Sequence, residues 1–142
     1  INNGNNTKET LVYSEAVSGT PPEDSDFTDY EVASDEFAPI LMGTFYKRAG
    51  DTLLSLFAEG KIAVGDGVEM RARLKALGGL WSITGNDSTA ATSASYTDID
   101  GYLDISSLEV GKYKWEIEIK GQKNSADTIR SGYLRKPHLI KT

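Results

Sequence analysis

The chain has 142 residues, 39% of them hydrophobic and none of them cysteine, and a formal net charge of −6. That length supports one domain with a sizeable core, no apolar run reaches the roughly eighteen residues of a membrane-spanning helix, and the missing cysteines exclude disulfides and thiolate metal sites. The charge is uneven: nine acids and no Lys or Arg lie between Glu9 and Tyr46, leaving the rest at +3, and an acidic front disfavours nucleic acid as a partner.

Ile1 to Lys8 is Asn-rich and polar and reads as a draped terminus. A short strand is expected within Thr10 to Val17. Gly19 to Glu36 has the composition of a linker: Pro21-Pro22 favours polyproline geometry, and an acidic loop follows with Phe27 and Tyr30 embedded. A structureless loop of that length is unusual inside a compact domain. Residues 1–36 are therefore expected to be an extended acidic arm lying on a neighbour, with Phe27, Tyr30 and Phe37 as apolar anchors.

The sandwich domain is expected over residues 37–135. Ala38 to Lys47 reads as a strand with Pro39 at its entry. Asp51 to Ala58 reads as a strand between small turn residues, with a short helical turn as the competitor. After the Gly65-Asp66-Gly67 turn, Val68, Met70, Ala72, Leu74 and Ala76 alternate with Glu69, Arg71, Arg73 and Lys75. Several of these are good helix formers, but the sustained period of two outweighs propensity. Gly78-Gly79 turns into a short strand over Leu80 to Thr84, and Gly85 to Ser88 breaks it. Thr89 to Thr97 reads as an edge or loop, Tyr102 to Ile105 as a strand, and Ser106 to Glu109 as a short helical turn.

Lys112 to Lys120 alternates without a fault, with Tyr113, Trp115, Ile117 and Ile119 on one face and charged residues on the other. One wet and one buried face mark a strand of an antiparallel sheet. Leu108, Gly111 and Tyr113 match the turn in immunoglobulin-type sandwiches where a tyrosine hydroxyl ties back to the preceding turn, and Trp115 stands where a cysteine often sits. A polar loop at Gly121 to Ala126 and a strand over Asp127 to Arg135 complete the domain. Residues 136–142 are expected to form a basic C-terminal extension. About seven to nine short strands at regular spacing make the expected fold all-β, an immunoglobulin-like antiparallel β-sandwich with an extended N-terminal arm.

Little in the sequence carries chemistry. Asp98, Asp100 and Asp104 with Gly101 form a weak calcium candidate, but a hard cation needs six to eight oxygens, and Asp-Gly is also a common hairpin signal. His138 is the sole histidine, so a zinc site or a Ser-His triad has nothing to stand on. No carboxylate pair is singled out by an apolar setting. No enzyme activity and no cofactor are expected. Trp81, Tyr96, Tyr102 and Trp115 are candidates for an aromatic sugar platform, with the core as the alternative place for each. Arg130, Arg135 and Lys136, in a stretch without acids, are expected to meet an acidic partner surface.

The order of Gly50-Asp51-Thr52, Val68 to Leu74, Asp104 to Leu108, Gly111 to Ile117 and Thr128 to Leu134 resembles the immunoglobulin-like modules of tailed-phage structural proteins, such as the N-terminal module of baseplate upper proteins. The resemblance covers about residues 49–135. It implies a non-enzymatic virion component, a capsid decoration or a tail or baseplate subunit, bound to other virion proteins or copies of itself in a homo- or hetero-oligomeric assembly, with no nucleic acid and no membrane. The alternative is an extracellular or cell-surface carbohydrate-binding or adhesion module.

Overall fold

Alternating side chains organise the chain into two facing sheets. The computed structural model describes residues 9–11, 15–16 and 29–142, the first two segments by backbone alone. The strands are β1 (Glu9–Leu11), β2 (Glu15–Ala16), β3 (Tyr30–Val32), β4 (Ala38–Lys47), β5 (Leu53–Ile62), β6 (Arg71–Gly78), β7 (Trp81–Thr84), β8 (Thr97–Asp104), β9 (Gly111–Lys120), β10 (Gln122–Lys123), β11 (Ile129–Arg130) and β12 (Gly132–Lys141). Among the described residues there is no helix. One sheet has the order β1-β12-β5-β8, with β3 also pairing β12; the other has β2-β4-β9-β6-β7; β10 and β11 form a small ribbon. Every pairing is antiparallel.

The fold is an immunoglobulin-like antiparallel β-sandwich with its outer strands exchanged. Among the seven longer strands, the second pairs the fifth and the third pairs the sixth, as in an immunoglobulin domain. The first (β4) lies beside the sixth, however, and the last (β12) beside the second. In an immunoglobulin domain the first lies beside the second and the last beside the sixth.

The core follows the alternation. Trp115, Ile117 and Ile119 of β9 face Ala72, Leu74 and Ala76 of β6, and all are buried. Gly43 of β4 sits opposite Trp115, and a Cβ there would lie 2.5 Å from the indole, so only glycine lets the ring lie flat against β4. The tyrosine corner is present: the Tyr113 hydroxyl donates to the Glu109 carbonyl at 2.7 Å, and its ring stacks on Phe45.

Three boundaries differ from the sequence expectation. Tyr30–Val32 pairs with the start of β12 and buries Val32, so the sandwich begins ahead of Phe37. Asp98 to Gly101 is the middle of a strand and not a turn, because Ile99 points into the core and needs strand backbone on both sides. Residues 136–141, expected as an extension, complete a central strand between β1 and β5.

That last strand is pinned by a buried ion pair. Lys141 and Asp51 are each 1% exposed; the ammonium donates to the Asp51 carboxylate at 2.8 Å and to the Tyr46 carbonyl at 2.7 Å. Burial by itself would raise the Asp51 pKa. Its hydrogen bonds from Lys141 and from the Arg48 amide, with the charges of both residues, outweigh that and hold it below its ordinary 3.8.

Lys141→Met takes the buried cation from the Asp51 carboxylate, leaving it only its Arg48 contacts, and should cost about 3–5 kcal/mol in denaturant melts, with part of that recovered in the double variant Asp51→Asn, Lys141→Met. The folded pKa of Asp51 lies below the unfolded one, so its stabilisation is complete above the unfolded value of 3.8 and is lost as the pH falls through the folded value. Urea melts at successively lower pH should show that decline, and Asp51→Asn should flatten it. In the corner, Trp115→Ala should cost about 3–5 kcal/mol through a core cavity, and Tyr113→Phe about 0.5–1.5 kcal/mol.

Candidate functional site

Strand alternation puts every second residue of β12, β5 and β8 on the solvent face of one sheet. Register then sets them in rows: Arg135, Glu59 and Asp98; His138, Phe57 and Asp100; Ile140, Ser55 and Tyr102. The middle of this face is an open trough of about 550 Å³ lined by Phe57, Glu59, Asp98, Asp100, Lys136 and His138. A second depression continues it past Phe57 to Ser55, Asp87, Thr89 and Tyr102. Phe57 and Tyr102 are 46% and 48% exposed, a large apolar area to leave facing water on adjacent strands.

A β-bulge places the histidine. Between the Arg135–Glu59 and His138–Phe57 pairs β12 advances three residues where β5 advances two. Lys136 takes the extra place with φ at 52°, in the left-handed region that a side chain rarely adopts. Before it, Gly132 and Leu134 are buried; after it, Pro137, Leu139 and Lys141 are. The phase has reversed, so Arg135 and His138 share the solvent face.

The carboxylates divide into two kinds. Glu59 is bonded to Arg135 at 2.6 Å, which chiefly holds its pKa below the ordinary value. It is therefore no proton donor near neutral pH. Asp98 and Asp87 make no ion pair among the described residues, and Asp100 accepts from the Thr89 hydroxyl at 3.2 Å. One side of the trough thus offers hydrogen-bond acceptors that no cation neutralises.

Above the trough a cation–π cluster stiffens the same face. Lys61 lies 4.8 Å from the Tyr96 ring centre and 4.9 Å from that of Tyr133, and Arg135 lies 4.0 Å from Tyr96. Burial, and then the 2.6 Å hydrogen bond its hydroxyl donates to Asp29, push the Tyr96 pKa up.

The residues expected to hold a partner are engaged within the chain. Tyr30 packs on the core from β3. Phe37 lies under the Arg73 guanidinium at 4.0 Å and the Lys120 ammonium at 4.8 Å. Arg130 pairs with Asp66 at 3.1 Å, whose carboxyl Asn124 and Arg130 hold low; Arg135 pairs with Glu59; Lys136 forms the bulge. Phe27 lies outside the described residues. Of the sugar-platform candidates, Trp115 is core and Tyr96 belongs to the cation–π cluster, while Tyr102 and Trp81 are open to solvent.

The carboxylates of the calcium candidate are not gathered into one site. Asp98, Asp100 and Asp104 point outward along one extended strand that spreads the first and last by about 20 Å. Asp104 also accepts from the Ser106 hydroxyl and amide. Among the described residues no group of three or more His, Cys, Asp or Glu is placed to hold a metal ion. Sequence reading missed Phe57 and set His138 on a tail. The available signal for Phe57 was its phase, since it shares the solvent side of β5 with Ser55, Glu59 and Lys61.

No family model matches the chain. No curated protein matches it either. Among solved structures the chain is similar to a "Family 16 Carbohydrate Binding Module-2" at 12% identity and a TM-score of 0.47, over 92% of this chain and 84% of that one.

The bulge can be tested by removing it. Deleting Lys136 should leave Arg135 and His138 two residues apart on the same face, keep Lys141 in the core and turn the bulge into regular pairing, so the variant should still fold and melt cooperatively. Lys136→Gly keeps the residue count, suits a left-handed backbone and should melt near the parent chain.

Proposed function

We propose that this chain is a non-catalytic carbohydrate-binding module that works outside the cell or at its surface, and that its ligand lies on the solvent face of β5 and β8. The observation that carries this is the pair of half-exposed rings, Phe57 and Tyr102, bordered by the carboxylates Asp87, Asp98 and Asp100. A pyranose presents an apolar C–H face and a rim of hydroxyls. Rings supply apolar contact for the first, and carboxylates accept hydrogen bonds from the second. Lys136 and His138 add donors on the opposite border. Sites of this kind are concave, partly aromatic and hold few, placed polar groups.

The same charges restrict the ligand. Unneutralised carboxylates repel uronates and sulfated chains, so a neutral or amino-bearing sugar fits best. Of the residues expected to contact virion neighbours, Tyr30, Phe37, Arg130 and Arg135 pack or pair within the sandwich, Lys136 lies at the bulge and Phe27 lies outside the described residues.

Titration calorimetry against neutral oligosaccharides of the cello-, manno-, xylo- and chito- series, with oligogalacturonate beside them, tests this. A neutral series should bind and the uronate should not. Phe57→Ala and Tyr102→Ala should each lose about 1.5–3 kcal/mol of binding, roughly ten- to hundredfold in Kd, while melting as the parent does. Binding that survives both substitutions would place the ligand elsewhere.

A further inference from the structure

The trough does not stop at the edge strand. Phe57 and Asp100 line both it and the depression beside it. Tyr102 lines that depression and a third, which runs over Gly85, Asn86 and Asp104 to Ile83 and Ser107. Ile83 and Ser107 in turn line a fourth, which ends at Trp81, Leu108, Glu109 and Tyr113. Each depression shares a wall with the next, so together they make one path from His138, across β5 and β8, round the side of the sandwich to the opposite sheet.

Two local features keep that path open. The segment after β7 crosses beside β8 at Gly85, where a Cβ would lie 2.5 Å from the Tyr102 carbonyl oxygen. Glycine lets the crossing lie flat on the strand, where a side chain would lift it into a barrier. Asn86 then donates to the Tyr102 hydroxyl at 2.9 Å and fixes the ring's outer end beside the crossing.

Trp81 ends the path as a prepared ring. It occupies a core-facing position of β7, yet it sits at the rim of the sandwich and is 43% exposed. It is held at a tilt of 58° against Tyr113, with centroids 5.5 Å apart, and Tyr113 is itself fixed by Glu109 and Phe45. A half-exposed indole on an immobile support loses little conformational freedom when a ligand stacks on it. Hydroxyl partners recur along the way at Asp100, Asp87, Asn86, Asp104, Ser107 and Glu109.

We infer that the ligand is a linear glycan chain gripped along its length, with Phe57 and Tyr102 as the primary platforms and Trp81 as a distal one that only longer chains reach. This rests on the proposed carbohydrate function and deepens it from a sugar to an internal stretch of polysaccharide.

The test is a length series on the full chain, from cellobiose to cellohexaose and likewise for the manno-, xylo- and chito-oligosaccharides, read by calorimetry with a melting curve for each variant. Affinity should rise with length. Trp81→Ala should weaken the hexasaccharide about tenfold, the worth of one stacking platform, and leave the disaccharide unchanged. Ser107→Arg, a change at an exposed residue that obstructs the path without touching Trp81's support, should do the same and serves where the tryptophan variant melts early. Phe57→Ala should weaken short and long ligands alike. If Trp81→Ala and Ser107→Arg bind the hexasaccharide as the parent does while Phe57→Ala does not, the path ends at Tyr102 and the extension is wrong though the sugar site stands. Equal loss for short and long chains in Trp81→Ala would make Trp81 the primary platform and overturn its assignment as the distal one. Should the parent bind none of the series, the carbohydrate reading fails and the extension with it.

Discussion

The buried contact between Lys141 and Asp51 is the constraint on which the binding face depends. An ion pair in a protein interior contributes little net stability compared with well-packed apolar residues, since both charges must leave water. What it supplies is register. A one-residue slip of a strand exchanges its faces, and only one alignment of β12 on β5 brings the ammonium to the Asp51 carboxylate and the Tyr46 carbonyl. Asp51 is fixed in turn by the Arg48 amide at the start of the β4–β5 turn. The chain beyond Lys141 closes the same ladder, with Thr142 and Leu53 exchanging backbone hydrogen bonds.

From that anchor the positions of the trough residues follow. Counting back from Lys141, alternation alone would put Leu139 and Pro137 inward and His138 outward, and it does. Counting forward from Gly132 gives the opposite phase. The bulge at Lys136 absorbs the conflict between two fixed ends, and the unfavourable backbone angle there is held by the pairing on either side of it.

Charge in the folded molecule is arranged by face and not by position along the chain. The basic end of the sequence does not survive as an end: Arg130 pairs with Asp66, Arg135 with Glu59, and Lys141 is buried against Asp51. The solvent side of β6 and β9 carries Arg71, Arg73, Lys75, Lys112, Lys114 and Lys120, with Glu116 and Glu118 among them. The solvent side of β8 carries Asp98, Asp100 and Asp104. At physiological salt these fields reach only about 8 Å, so a ligand in the trough feels the carboxylates beside it and little of the basic face opposite.

Features that depend on neighbours in the chain were legible in the sequence. The alternation in Lys112 to Lys120 and in Val68 to Ala76 required strands with a buried side, and Trp115, Ile117, Leu74 and Ala76 are buried as that pattern demands. Leu108, Gly111 and Tyr113 announced the tyrosine corner because that bond spans four residues. Features that depend on pairing between distant strands emerged only in the folded sheets. The period-two signal breaks at Lys136, and without β5 beside it the residues beyond look like a loose basic end. Asp98 to Asp104 looked like a turn because Asp-Gly commonly forms one; the ladder to β5 kept it extended. Phe57, Tyr102 and His138 lie far apart in the chain, and the trough exists only because the β5–β8 and β12–β5 registers set them side by side.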